Sequence, residues 1–578
     1  MMHMQAANLS SKNQRMIRFG IMCNGTTFQA WQASCLHKLL ALDNVEPALL
    51  IIDEDYFKCK WKKIKKLKFR KLLWYIFSFF FVERSSRATC PVDMASTLAQ
   101  VPSMRCKVIR KGKFSQYFSE PDVAAIRKYD LDFILRFGFD IIRGEILKVA
   151  RFGVWSFHHD DEEKYRGVPP GFWEICKGDN VTGAILQRLT DRLDGGIVLK
   201  KVFFKTINTS YVRNRDTICF ESTEWPAHVC IDIQNDSADY LDGPPSKTSA
   251  PIFYAPNNVQ MMLFLLKMAS NFFRELYSFL FFYWQWNIGI VDEPIHIFLT
   301  PGARPQVRWL PAPARNKFVA DPFAICREKA IHILFEDYSY STSKGCISAM
   351  SIYGKSLSPS KVVIDAPFHM SYPCLLEDKD KIYCVPETYS AQEVSLYEAK
   401  EFPNSWVKVA TLIKDFSGMD STLFQYEGRW WLLATDQNDG PFYKLKVWYA
   451  PDLLGPWKPH AANPVKVDIR SARPAGIPFV HNGQLYRPSQ DCSEVYGGKI
   501  ILNRIIRLTP TEFKEEQVAV IEPYKNSPYP DGLHTISAVG DMTIIDAAKK
   551  AFIGKSLTIL IYKMKIIWIR LNALLRRK

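Results

Sequence analysis

The chain has no CxxC pair and no regular spacing among its thirteen cysteines. Neither a zinc site nor a disulfide framework is therefore indicated, and no metal is expected. No apolar run reaches the roughly 20 residues that span a bilayer. The opening stretch, MMHMQAANLSSKNQRM, lacks the apolar segment of a signal peptide. GxGxxG and P-loop motifs are missing as well, so nucleotide cofactors of those types have no cradle. Together these absences predict a reducing, cytoplasmic setting.

What is present points to a folded chain of several parts. At 578 residues the chain is too long for one core, so two or three domains are expected. A content of 47% hydrophobic and 23% charged residues excludes wholesale disorder. Aromatics reach 13%, as suits β-rich folds and the stacking of rings on sugar faces. The net charge of +16 asks for an anionic partner. Much of it sits in one run from Lys58 to Lys71, beside the apolar Leu72–Val82, which fits an anionic membrane surface.

Residues 1–15 read as a disordered terminus, and 16–205 as an α/β domain with a mostly parallel sheet. Its strands are expected at Ile17–Met22, Pro47–Ile52, Leu131–Arg136, Val154–Phe157, Thr182–Leu189 and Ile197–Phe204, with a helix from Phe28 to Leu42. The segment 57–83 breaks this rhythm and reads as a basic and apolar insertion. Residues 206–292 read as a connector containing an amphipathic helix, on whose polar side Lys267 and Arg274 fall. The tail, 549–578, is a basic amphipathic helix. Leu557, Leu560, Ile561, Met564, Ile567, Trp568, Leu571, Leu574 and Leu575 share one face, with Lys563, Arg570 and Arg577 opposite. It docks either on its own protein or on an anionic membrane surface.

Between them, 293–548 repeats. Five segments share a template of polar start, strand, turn, strand and acidic or amide end. They begin at Ala320 (ADPFAICREKAIHILFED), Ser371 (SYPCLLEDKDKIYCVPET), Asp420 (DSTLFQYEGRWWLLATD), Ala472 (ARPAGIPFVHNGQLYRPSQD) and Asp531 (DGLHTISAVGDMTIIDA). A period of about 50 residues is that of a four-stranded blade, so an all-β five-bladed propeller is expected. The two ends of a hairpin lie side by side. Asp321, Asp337, Glu387, Asp420, Asp436, Arg473, Gln490 and His534 are therefore expected to converge on one axial mouth, or else merely to cap their strands.

The stretch from Leu131 to Leu199 carries a denser pattern: LRFGF from Leu135, GVWSFHHDDEEKYRG from Gly153, then VPPGFWEICKGDNVTG, and LDGG from Leu193. It resembles the folate-dependent formyltransferases, a family with methionyl-tRNA and sugar N-formyltransferase members and a Rossmann-like fold. The resemblance implies 10-formyltetrahydrofolate as co-substrate, His158 as proton shuttle and Asp194 as the carboxylate that orients it. It also implies folate contacts at Arg136, Phe137, Gly138, Tyr165, Arg166 and Gly167. Histidine suits the task because it titrates near neutrality and can donate to an oxyanion. The family's oxyanion-donating asparagine is Ser156 here. Serine assisted by water takes that role, the reaction is altered, or the domain is inactive. The acidic run Asp160–Glu163 suits a cationic or amino acceptor, or is a solvated loop, and no nucleic-acid partner is expected.

The repeats resemble the propellers of glycoside hydrolase family 43 and, through ADPF at Ala320 and DGLHTIS at Asp531, those of plant glucosamine inositolphosphorylceramide transferases. Asp321 and Asp420 match the base and the second aspartate of the hydrolases. Arg473 stands where their acid belongs and cannot give up a proton. The expected pocket, with Asp321, Glu387, Asp420, Arg473 and His534, therefore holds a sugar or sugar phosphate. The leading expectation is formyl transfer to the amine of an amino sugar or of its nucleotide- or lipid-linked form, in the cytoplasm or at the inner face of a membrane. The rival is a carbohydrate-binding or carbohydrate-processing propeller with a degenerate, non-catalytic formyltransferase domain.

Overall fold

The computed structural model describes residues 15–54, 69–112, 115–192 and 195–575. Most of the Lys58–Lys71 run, the residues before 15, and both Leu193 and Asp194 lie outside them. The chain divides into two compact units, one of residues 1–202 and 206–271, the other of 203–205 and 272–578.

The first unit is mixed α/β. Seven strands, β1 Ile17–Cys23, β2 Val45–Asp53, β3 Ser103–Cys106, β4 Phe133–Arg136, β5 Val154–His158, β6 Val181–Arg188 and β7 Ile197–Lys205, form a sheet of order β7-β6-β5-β4-β1-β2-β3. The pairs β1–β2, β1–β4, β2–β3 and β4–β5 are parallel, and β5–β6 is antiparallel. Burial on both faces explains why these strands read as continuous apolar runs. Phe19, Phe133 and Trp155 stack across three neighbouring strands, with ring centroids 5.3 and 3.8 Å apart. The strand order reverses between β1 and β4, and at such a switch point ligands bind beyond the carboxyl ends of the strands.

Helix α1, Ala30–Leu40, covers one face through Trp31, Cys35, Leu36 and Leu39. Next in the chain, α2 spans Leu72–Phe77. Two further helices, α3 Tyr211–Glu221 and α4 Trp225–Gln234, do not stand apart as a connector. Asp216 accepts hydrogen bonds from Ser86, Arg87 and Ala88, and Glu224 pairs with Lys38 of α1 at 2.8 Å. The expected boundary at 205 therefore moves to about 271, because the apolar sides of these helices have a place against α1. Helix α5 runs from Asn258 to Phe281.

The second unit contains, among the described residues, five antiparallel sheets of four or five strands. Four are built from consecutive chain. The fifth pairs Phe282–Val291 with Met542–Phe552 over ten residues, so the unit's first and last strands lie together. Phe282–Val291 thus belongs to a sheet and not to the connector that ends at 292. A bulge recurs on the first strand of three sheets, between Ala320 and Phe323, Ser371 and Cys374, and Met419 and Thr422. Each carries one non-glycine residue at positive φ: Asp321 at 51°, Tyr372 at 45° and Asp420 at 49°. That conformation is uncommon outside glycine and needs its surroundings to enforce it.

Arg487, fully buried, holds the loop before the fourth sheet. It donates to the carbonyls of Ser471 and Ala472 and forks onto Glu515 at 2.8 and 2.7 Å. Lys466 adds a third bond to Glu515 at 2.6 Å. Burial alone would raise the Glu515 carboxyl, but Arg487 and Lys466 outweigh it and bring its pKa down to about 2. A carboxyl depressed in the folded state stabilises fully above its ordinary pKa, near 4.5, and loses that contribution as pH falls toward 2. We expect the unit to lose ~3 kcal/mol from this group over that window. In urea melts, Glu515→Gln should flatten the acid limb while lowering stability at pH 7. The tail helix, α6 Leu557–Leu575, ends the described chain.

Candidate functional site

In the α/β unit, the parallel pairing of β4 with β5 places Arg136 opposite Ser156. The guanidinium donates to the Ser156 hydroxyl at 3.1 and 2.8 Å, and to the carbonyls of Phe139 and Asp140 at 3.3 and 2.9 Å. His158 follows two residues along β5 and so projects from the same side. Its Nε2 lies 3.0 Å from the carbonyl oxygen of Tyr165. A carbonyl only accepts, so Nε2 carries the hydrogen and Nδ1 is the basic nitrogen. His158, Arg136, Asp160, Gly167, Gln187 and Arg192 line a cavity of about 490 Å³. Gly167 is obligatory there. It sits at φ 102°, and a Cβ would stand 2.1 Å from the Phe253 carbonyl oxygen.

Several expected roles change. Asp194 lies outside the described residues, so the His158–Asp194 pairing has no description here. Ser156 is 1% exposed, and its hydroxyl accepts from Arg136 while its own proton faces Phe157 O at 3.4 Å. It is thus a support for Arg136 and not an oxyanion donor. The backbone amides of Phe137 and Gly138 both donate to Met22 O at 2.8 Å, and both residues line a second, larger cavity. Tyr165 is buried with its hydroxyl on Asp179, and Arg166 donates to Ala250 O at 2.7 Å. These two build a wall and do not reach the cavity. Of the expected folate contacts, Arg136 and Gly167 line the first cavity.

The acidic run is divided: Asp160, Asp161 and Glu162 are buried, while Glu163 stays exposed. Lys201 meets Asp161, Glu162 and Glu163 at 2.9, 3.2 and 3.0 Å, a cation supplied from β7 that no local pattern announces. Asp160 accepts from Gly171 N at 2.7 Å and faces the cavity. Behind it, burial pushes the pKa of Glu174 up to about 8, so this carboxyl is mostly protonated at neutral pH. His159, half-buried, lines the same cavity. It packs on Trp31 and Phe157, bonds Ser222 at 3.1 Å, and burial draws its pKa down to about 3.

A second cavity, of about 850 Å³, opens at the switch point. Asn24, Thr26, Thr27, Gln32, Arg105 and Arg110 give it a polar lining, and it shares Phe139 and Asp140 with the first.

In the all-β unit, the five expected pocket residues come together in the interior. Arg473 grips Asp420 through Nε at 2.5 Å and Nη2 at 3.1 Å, and Gln490 donates to the same carboxylate at 2.7 Å. Glu387 accepts from Asp420 N at 2.9 Å and from the Ser371 hydroxyl at 3.0 Å. His534 lies between Asp546, 2.8 Å from Nδ1, and Asp321, 3.2 Å from Nε2. Burial alone would lower the His534 pKa, but Asp546 and Asp321 outweigh it and raise it to about 9. Burial and then Asp420 push Glu387 up to about 8, and burial raises Glu336 well above the carboxylate range.

The cluster thus combines two glutamates pushed toward the protonated form, an Arg473–Asp420 ion pair and a His534 ring held between Asp546 and Asp321. Although no metal was expected, Asp321, His534 and Asp546 offer ligand atoms within 4.8 Å of one another. As they stand, the imidazole closes that set as a hydrogen-bond clamp.

Glu336 and Asp546 went unrecognised in the sequence, and Asp337 and Asp436 were wrongly included. Those two are paired with Lys317 and Lys446 at 3.2 and 3.1 Å. Side chains alternate along a strand, so a shift of one residue moves a carboxylate off the axis. Around the cluster stand Trp286, 4.0 Å from the His534 ring, and the partly exposed Phe442 and Tyr496, 5.4 and 5.0 Å from the Arg473 guanidinium.

Comparison with known proteins adds to this geometry. One family model, Glucosamine inositolphosphorylceramide transferase 1, N-terminal, matches residues 310–532. The rice protein Glucosamine inositolphosphorylceramide transferase 1 (Oryza sativa subsp. japonica) is 39% identical over 210 residues, 35% of this chain and 28% of its own. Methionyl-tRNA formyltransferase from Prochlorococcus marinus (strain MIT 9215) is 34% identical over 80 residues, 14% of this chain and 24% of its own. The chain therefore spans about a quarter of the length of either relative. Among solved structures, exo-β-1,3-galactanase from Phanerochaete chrysosporium overlaps 35% of this chain and 51% of its own at 12% identity and TM-score 0.28.

Proposed function

We propose that the α/β unit transfers the formyl group of 10-formyltetrahydrofolate to the primary amine of an amino sugar or of its nucleotide- or lipid-linked form. We further propose that the all-β unit is a five-bladed propeller that grips the glycan part. The observation that carries this reading is His158. Its tautomer is fixed by Tyr165 O, and it lines a cavity that shares Phe139 and Asp140 with a larger, polar one. Two adjoining cavities at a switch point suit a two-substrate transfer, with folate in the first and the acceptor in the second. Atoms balance simply: the amine nitrogen bonds the formyl carbon, its proton passes to Nδ1 of His158, and the folate N10 leaves and takes a proton back. Similarity to methionyl-tRNA formyltransferase supports the donor, and the glucosamine-transferring relatives support a sugar acceptor. The proposed setting is the cytoplasm or the inner face of a membrane.

A second reading has its own support. The longer sequence match falls on the all-β unit, and Ser156 is engaged by Arg136 where the formyltransferases keep an asparagine. On that reading the α/β unit is a scaffold and the propeller alone binds or processes carbohydrate. Calorimetry of the full chain with 10-formyltetrahydrofolate, followed by formate transfer to a panel of amino sugars, separates the two. Saturable folate binding with transfer to at least one amine is expected. A chain that binds glycans but shows no folate heat refutes formyl transfer and supports the scaffold reading.

A further inference from the structure

Helix α5 is exposed along most of its length. Of its 24 residues, Met261, Phe264 and Asn271 are buried, while eleven large apolar side chains are exposed. At about 100° per residue, Met262, Leu266, Phe273 and Leu280 fall within about 40° of one another. Their exposures are 52%, 61%, 66% and 38%. Lys267 and Arg274 lie together roughly 100° around the helix from that stripe, and Lys267 Nζ passes close to Gly178. A soluble surface rarely carries so continuous an apolar face without a partner.

The tail helix repeats the arrangement. Lys563, opposite the apolar face in the sequence pattern, is 7% exposed and donates to the carbonyls of Phe279 and Phe282, at the end of α5 and just beyond it. Its apolar side points outward instead, with Leu557, Ile561, Met564 and Trp568 exposed by 67%, 57%, 62% and 66%. The side chains of Arg570, Leu571, Leu574 and Leu575, and residue Arg577, lie outside the described residues. A helix that turns its lysine inward and its tryptophan outward is built to face an apolar medium. The segment around α2 does the same, with Phe79, Phe80 and Phe81 at least half exposed and Arg84 lying over the first two rings at 5.0 and 5.2 Å.

We infer that α5 lies in the surface of an anionic bilayer, with the apolar side of α6, bonded to the end of α5 through Lys563, as a further contact. Two observations select this occupant. Cationic groups border the apolar faces in a chain of net charge +16, which complements anionic headgroups. No helix among the described residues is long and apolar enough to cross a membrane, so the helices lie on the bilayer and do not span it. The inference does not depend on formyl transfer, since it concerns where the chain sits and not what it catalyses.

The test uses the full chain and vesicles of phosphatidylcholine with phosphatidylglycerol, seven to three, in co-sedimentation. Wild type should bind, and Leu266→Glu/Phe273→Glu should weaken partitioning by about a hundredfold, since two apolar groups leave the interface and two anions enter it. Lys267→Gln/Arg274→Gln should cost about tenfold on these vesicles and little on pure phosphatidylcholine. Trp568→Glu gives a second reading if the double variant fails to fold. A loss of binding supports the inference, and unchanged binding overturns it. Unchanged vesicle binding with a dimer that dissociates in Leu266→Glu/Phe273→Glu also overturns it, and assigns the face to a second copy of the chain.

Discussion

His158→Ala should reduce formate transfer by about 10²–10⁴ while 10-formyltetrahydrofolate still binds. The loss should fall on kcat, with KM for the amine nearly unchanged, because Nδ1 takes up a proton only as the carbon–nitrogen bond forms. Tyr165 O holds Nε2 at 3.0 Å, which fixes which nitrogen is basic before substrate arrives. His158→Gln makes the argument sharper. Its amide can keep the bond to Tyr165 O but supplies no base, so it should be as inactive as alanine. If either variant turns over at the wild-type rate, the imidazole is not the shuttle. A transfer carried out by the all-β unit alone would leave both variants silent.

Arg136 refines that expectation. Its guanidinium is fixed by Ser156 and by the carbonyls of Phe139 and Asp140, on the wall of the same cavity as His158. A cation there stabilises negative charge that develops on a carbonyl oxygen. Ser156 contributes by positioning Arg136.

How far the sequence disclosed this arrangement depended on the range of each interaction. The strands of the α/β unit were legible because buried parallel strands are apolar runs bounded by turns. Observed strands at Ile17–Cys23 and Val154–His158 differ from those expected by a single residue at their ends. Arg136 was placed near folate on family grounds, but its bond to Ser156 depends on the lateral register of β4 against β5, which no local pattern encodes. The same holds for Lys201, whose three acidic partners lie about 40 residues earlier in the chain. In the all-β unit the repeats were visible, yet the inward residue of the second strand was misjudged by one position. The bulge at Asp321 sets two residues against one across the hairpin, so counting inward from the acidic end selects Asp337 where Glu336 is buried. The helices α3 and α4 were taken for a connector because their apolar content is spread around the helix. Only their contact with α1 shows which face is buried.

Arg473→Leu should destabilise the all-β unit by about 3–5 kcal/mol, the cost of leaving a buried charge without its partner. The side chains of Arg473 and Asp420 are each 3% exposed, so solvent cannot replace the guanidinium. Gln490 would remain on Asp420 at 2.7 Å, and one amide does not balance a carboxylate. The stranded group should then bind a proton in the folded state more tightly than in the unfolded chain. Stability of the variant should therefore rise as pH falls from 8 toward 5, a slope that a mere packing defect would not produce. Asp420→Leu/Arg473→Leu removes both charges and should recover much of the loss, since a pair deleted together leaves no uncompensated ion. Urea melts of wild type and the two variants at pH 5 and pH 8 measure all of this. If Arg473→Leu alone melts like wild type, the pair does not hold the axis together. The same residue then becomes available to bind an anionic sugar directly, and glycan affinity rather than stability would carry the effect.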